Sequence, residues 1–136
     1  MAKNKIKSED MAPQVIGRDG DTYNPLPTAL TDVANSSLTF DCPVPMYLLV
    51  TISGWFQTNS TAQGNLKLNV DGTDQTRGLH QHMAGVAGTE AHQTNSRQLR
   101  VTLAAGSHTI KLRVNASVIN SVVCYEPSWW GLLVAQ

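Results

Sequence analysis

Arg97-Gln-Leu-Arg-Val-Thr-Leu103, then Ala104-Ala-Gly, then Ser107-His-Thr-Ile-Lys-Leu-Arg-Val114 is the stretch that decides the fold class. Leu99, Val101 and Leu103 recur at every second position, as do Ile110, Leu112 and Val114, and polar or small residues stand between them. A period of two puts alternate side chains on opposite faces of an extended strand, whereas a helix would need apolar residues three and four apart. Both runs are therefore strands with one apolar and one wet face. The small residues joining them predict a hairpin. Arg100, Lys111 and Arg113 fall on the wet face and with Lys67 predict a basic, solvated stripe on one sheet.

The same pattern extends through most of the chain. Ser37-Leu-Thr-Phe-Asp41 is a short strand ended by Cys42-Pro-Val-Pro45, and Met46 to Gln57 is a longer one with Leu48, Val50 and Ile52 on one face. Gly54 predicts a bulge or bend there. Asn65 to Val70 alternates, and Asp71-Gly72 supplies the positive φ that a tight hairpin turn requires. Residues 58–64 and 83–96 are expected to be loops. No segment carries apolar residues at helical spacing over the ten or more positions a helix needs. Seven to nine strands at regular intervals in a single domain imply an all-β fold, a sandwich or barrel of antiparallel sheets.

The end of the chain departs from the one-sided pattern. From Val118 to Gln136 two apolar runs flank Glu126-Pro-Ser128, which reads as a turn, and the second run is apolar on both faces. Trp129, Gly131 and Leu133 point one way; Trp130, Leu132 and Val134 point the other. One set fills the sandwich and the other needs a cover, which another copy of the chain would supply. Tyr125, Trp129, Trp130, Leu132, Leu133 and Val134 are therefore candidate contacts of a homotrimer. Residues 1–27, charged at first and then rich in proline and glycine, read as an extended N-terminal arm, with the sandwich over 28–136. Val15, Ile16, Tyr23 and Leu26, scattered without period along that arm, are candidate attachment residues.

Composition excludes several classes of function. Ten basic and ten acidic residues cancel, and only 15 % of positions are charged, so no field of one sign draws nucleic acid or a membrane surface. No window approaches the ~18 apolar residues of a membrane span, and the basic N-terminus lacks the apolar run of a signal peptide. The expectation is a chain made and kept in a cytoplasm. Asn35, Asn59 and Asn115 begin glycosylation triplets, which without a secretory route are polar turns and strand faces. Cys42 and Cys124 read as free thiols in a reducing compartment, and a disulfide between them requires that their strands meet. At 136 residues the chain buries roughly 65–70 % of its unfolded surface and needs no staple.

Reactive chemistry is not legible. His80 and His82 share a strand face, and His92 or a carboxylate could join them, but two ligands do not make a metal site. No paired carboxylates in an apolar context, phosphate loop or nucleophile elbow stands in the chain. The expectation is no catalytic residue, no metal, no cofactor and no small-molecule ligand.

From Leu38 onward the order of features resembles the small jelly-roll proteins of tailed-bacteriophage virions, a trimeric, tumour-necrosis-factor-like group of capsid decoration proteins, head fibres and tail-fibre knobs. The matching residues are Asp41-Cys-Pro-Val-Pro-Met-Tyr47, Leu48-Leu-Val-Thr-Ile-Ser-Gly54, Asn69-Val-Asp-Gly72, Ala105-Gly-Ser-His-Thr-Ile-Lys-Leu-Arg-Val114 and the apolar final strand. The Gly-Ser-His-Thr run is the strongest of these. The resemblance implies that the fold is an antiparallel jelly-roll sandwich of about eight strands, a homotrimer on a virion with the major capsid protein as partner. The arm is short for a fibre shaft and has no heptad or collagen-like repeat, which favours a decoration protein on the outer capsid surface, assembled in the host cytoplasm. The alternative is a receptor- or carbohydrate-binding module of a tail fibre or baseplate, with the 83–96 loop and Trp55 or Trp129 against a sugar.

Overall fold

The computed structural model describes residues 12–58, 61–84, 91–118 and 121–136, the side chains of 79–84 and 91–95 excepted. Among the described residues ten strands run in chain order: β1 (Gln14–Asp19), β2 (Thr31–Asp32), β3 (Leu38–Cys42), β4 (Met46–Thr58), β5 (Thr61–Val70), β6 (Thr73–Asp74), β7 (Leu79–Ala84), β8 (Ala91–Leu103), β9 (Gly106–Ala116) and β10 (Val122–Ala135). Two of them, β2 and β6, are only two residues long; the other eight build the fold.

They form two antiparallel sheets. One is four-stranded, in the order β1-β10-β4-β8; in the other, β9 pairs with β2, β3 and β5, and β5 with β6 and β7. Apart from β2 to β3 and β5 through β6 to β7, each connection crosses from one sheet to the other. This is the jelly roll, two sheets packed face to face over one core. The even positions of β4, from Met46 to Ile52 and Phe56, face Leu66, Leu68, Ile110, Leu112 and Val114 of the opposite sheet, all buried. Trp129 and Leu133 of β10 join them.

Three expectations about neighbours are corrected. The strands flanking Ala104 and Ala105 are not a hairpin: β8 pairs with β4 in the first sheet and β9 with β5 and β3 in the second. Alternation shows that each strand turns an apolar face to the core; it does not distinguish strands side by side from strands facing each other across it. Arg100 is thereby separated from Lys111 and Arg113, which divides the expected basic stripe. Lys111 pairs with Asp32 at 2.6 Å and Arg113 with Asp74 at 2.7 Å, so on the second sheet much of that charge is neutralised.

Second, Glu126-Pro-Ser128 is not a turn between two strands. It is a bulge within β10, where the pairing to β4 shifts between Tyr125 and Ser128 and Glu126 takes φ 47°. Gly54 stands opposite the bulge, on the uninterrupted strand. The expected loops are shorter as well, since 61–64, 83–84 and 91–96 belong to strands. By contrast Asp71 (φ 51°) and Gly72 (φ 84°) make the tight turn expected of them.

Third, residues 14–27, expected in an arm outside the sandwich, are built into it. β1 runs antiparallel to β10 from Gln14↔Leu133 to Asp19↔Ser128 and is an outer strand of the first sheet. Beyond it Gly20 N–H donates to the Pro127 carbonyl, Tyr23 and Cys124 exchange two backbone hydrogen bonds, and Leu26 N–H donates to the Val122 carbonyl. Leu26 is fully buried. Proline and glycine interrupt any period here, so the strand content of the segment lies in its partner and not in its own pattern. Residues 1–11 of the expected arm lie outside the described residues.

Ser36 ties the two sheets together. It is fully buried; its hydroxyl donates to the Val33 carbonyl and accepts from Leu112 N–H of β9, while its carbonyl accepts from the Trp129 indole N–H of β10 at 2.7 Å.

Candidate functional site on the outer face of the four-stranded sheet

The outward positions of β4 are Tyr47, Leu49, Thr51, Ser53 and Trp55, and the register places each in a row across the sheet. Val15, Leu132, Leu49 and Arg100 form one row; Gly17, Trp130, Thr51 and Gln98 the next; Val134, Tyr47 and Thr102 flank the first on its other side. Four of the five exposed large hydrophobic residues among the described residues, Val15 (74 %), Leu49 (46 %), Trp130 (49 %) and Leu132 (37 %), gather on this one face. Such residues scattered singly would need no account; gathered into adjoining rows they form a patch of the kind that marks an interface.

The patch is held in shape. The Trp130 ring lies across Gly17, where a Cβ would stand 2.5 Å from its ring carbons, and its indole N–H donates to Asp19 Oδ1 at 3.3 Å. Glycine at 17 is thus what lets the indole lie flat on β1. The Arg100 guanidinium sits 5.3 Å from the centre of the Tyr47 ring, and beside it a hollow of about 410 Å³ opens between Leu49, Thr51, Gln98 and Arg100.

Toward the bulge the same face changes character. Ser53 and Ser128 pair through their hydroxyls at 2.8 Å, and one row further Trp55 and Tyr125 pack with ring centres 4.3 Å apart, inclined at 48°. With Asp19 and Glu126 these side chains line a second hollow of about 460 Å³.

Among the candidate contacts of a trimer, Trp130, Leu132 and Val134 lie on the outer face, and Tyr125 lies on it at the bulge end. Trp129 and Leu133 do not: both are core residues, at 0 % and 3 % exposure. Trp129 is equally removed from any sugar contact. Among the candidate attachment residues Val15 belongs to the outer patch, Ile16 and Tyr23 are half-buried against the core, and Leu26 is sealed within it and unavailable to a partner. Sequence reasoning misses Tyr47 and Leu49. Their signal is the Tyr47-Leu-Leu-Val50 run, apolar on both faces like the final strand.

No group of three or more metal-ligating side chains occurs among the described residues; the His80, His82 and His92 side chains lie outside them. His108 is bound on both sides, Nδ1 2.7 Å from Asp71 Oδ2 and Nε2 2.8 Å from the Ala104 carbonyl. The Asp71 hydrogen bond first, then that to Ala104, hold its pKa above the usual histidine value. Burial pushes the Cys124 thiol up to about 12; Cys42 is raised as well, by burial first and then by the charges of Asp41 and Asp71. Both cysteines are free and buried.

The fold and its outer face define a jelly-roll β-sandwich with one sheet left partly apolar toward solvent. No protein-family model and no curated protein matches the chain. Solved structures do. A chain of the T13 particle of infectious bursal disease virus superposes with a TM-score of 0.56 at 11 % identity, over 90 % of this chain and 31 % of that one. A chain of the Gt strain of that virus gives 0.51 at 12 % identity, over 90 % and 33 %. A family 35 carbohydrate-binding module from Clostridium thermocellum aligns over 90 % and 92 % of the two chains at 16 % identity, with a TM-score of 0.39. This chain spans about a third of the virus chains it matches, and at these identities the likeness is one of fold.

Proposed function

We propose that the chain is a structural subunit of a virion, a bacteriophage capsid decoration protein that self-associates as a homotrimer and binds the outer surface of the assembled capsid. The observation that carries this reading is the outer face itself: Val15, Leu49, Trp130 and Leu132 exposed in adjoining rows, on a sandwich whose core is already complete. A second copy is the occupant it suits. Among the described residues the patch carries one cation, Arg100, 5.3 Å from the centre of the Tyr47 ring, so little charge has to be desolvated when copies meet. Burying it stabilises at about 25 cal/mol per Å² of apolar area, less the cost of association. The fold likeness to chains of a virus particle supports a role in a virion, and the resemblance to phage jelly-roll proteins supports the decoration role in particular.

Light scattering at micromolar concentration tests the first half: a trimeric mass is expected, and the Leu49→Lys, Leu132→Lys double variant should be a folded monomer. A stable wild-type monomer would refute self-association. Co-sedimentation with empty phage capsids lacking the protein tests the second half. Absence of binding by the wild-type chain would favour a tail location.

A further inference from the structure

We propose that the hollow at the bulge of β10 is a binding site for a neutral carbohydrate, one pyranose unit stacked on the Trp55–Tyr125 pair. It does not depend on the decoration reading, because Val15, Leu49, Trp130 and Leu132, which carry that reading, do not line the hollow.

The bulge creates the space. Between the pairs Tyr125↔Trp55 and Ser128↔Ser53, Glu126 and Pro127 of β10 stand against Gly54 alone on β4. The extra residue spreads apart side-chain rows that would otherwise stand about 7 Å from each other along the strands. Glu126 is held at φ 47°, a left-handed backbone that a non-glycine residue adopts at a cost, and among the described residues its carboxylate makes no hydrogen bond or ion pair. Bulges of this kind re-aim side chains beside functional sites. The volume opened, about 460 Å³, lies within the range of small-molecule pockets.

The lining selects the ligand. A pyranose has an apolar face of ring C–H groups and a rim of hydroxyls, each both donor and acceptor. Trp55 and Tyr125, neither of them fully buried, supply the apolar platform. Around it stand acceptors, the carboxylates of Asp19 and Glu126, and the Ser53–Ser128 hydroxyl pair, which can accept or donate. Asp19 spends Oδ1 on the Trp130 indole and keeps Oδ2 for a ligand. Hydroxyl-to-carboxylate hydrogen bonds are charge-assisted and among the stronger ones available. The same carboxylates repel sialylated, sulfated and phosphorylated sugars, which makes the ligand neutral. A quaternary ammonium would suit a cage of facing rings, whereas these two pack against each other, inclined at 48°.

The test is an array of neutral, sialylated and sulfated glycans probed with the full-length protein, followed by saturation-transfer NMR on the neutral methyl pyranoside corresponding to the best hit, with choline and sialic acid alongside. Binding to a neutral glycan, with saturation strongest at ring C–H protons, is expected. Tyr125→Ala and Glu126→Gln should each weaken it at least tenfold, and Glu126→Gln should leave the melting temperature and the oligomeric mass unchanged. No binding to any neutral glycan, preference for choline or an acidic glycan, or binding indifferent to Glu126→Gln would overturn the assignment. A monomeric wild type that still binds would overturn the trimer and leave the sugar site standing.

Discussion

Trp129 and Trp130 are adjacent, identical in kind and opposite in role, so truncating each in turn tests the alternation on which the fold and the outer face both rest. Trp129 is fully buried, and its indole N–H holds the Ser36 carbonyl at 2.7 Å. Removing a buried tryptophan side chain costs about 3–5 kcal/mol through lost transfer energy and the cavity left behind. The orphaned Ser36 carbonyl places Trp129→Ala toward the upper end of that range. A domain of this length unfolds with an entropy of roughly 0.29 kcal/mol/K, so the melting temperature should fall by about 10–17 °C. Trp130 is half exposed and gives up less area, together with one long hydrogen bond to Asp19. Trp130→Ala should cost less than about 2 kcal/mol, some 7 °C at most. Both substitutions are made in the monomeric Leu49→Lys, Leu132→Lys background, verified by light scattering, so that urea and thermal denaturation compare them free of mass action. Equal losses, or a larger loss from Trp130→Ala, would refute the assignment of the two faces.

His108 should make stability fall as pH rises above neutrality. Both ring nitrogens face acceptors, which suits the doubly protonated ring, and the folded pKa is raised above 6.5. Its contribution is full below about 6.5 and is lost as pH climbs through the folded value. Urea midpoints from pH 5.5 to 8.5 should decline in the wild type and decline less in His108→Gln; a wild-type midpoint that rises across that window would contradict this. Asp71 acts in the opposite sense at low pH. Burial raises its pKa, the hydrogen bonds from His108 and Thr109 outweigh that, and the net lowering contributes stability above about pH 3.9 that is lost as pH falls through the folded value. Cys42 and Cys124, buried and with raised pKa values, should not react with an aromatic disulfide reagent until the protein is denatured, when two thiols per chain should titrate. Deleting residues 1–24 should abolish cooperative unfolding or lower the melting temperature by more than about 10 °C, since it strips β1 from β10 and the Tyr23–Cys124 hydrogen bonds. A truncated chain that melts like the full one would restore an independent arm.

The all-β class and the two-sidedness of the final strand were legible in residue order, because alternation is a local property: it says which side chains share a face and whether that face is apolar. That Trp130, Leu132 and Val134 share one face and Trp129, Gly131 and Leu133 the other could be read on that basis alone, though not which face turns outward, and Asp71-Gly72 could be placed in a tight turn because its backbone requirement is also local. Which strand lies beside which is a different kind of fact. The runs around Ala104 and Ala105 satisfy a hairpin and a sheet-to-sheet crossing equally well, and only closure of two sheets over one core sends β8 to β4 and β9 to β5. The proline-rich segment before residue 28 carries no period, so its place as the outer strand on β10 comes entirely from the hydrogen-bonding edge that β10 offers it. The sugar hollow depends on a bulge that the sequence presents as a turn, and it exists only once Trp55 and Ser53 of β4 come into register on either side of that gap. Sequence determined the faces, since each is set within a few residues; tertiary structure decided the neighbours and the site, since both are set by pairings between residues far apart in the chain.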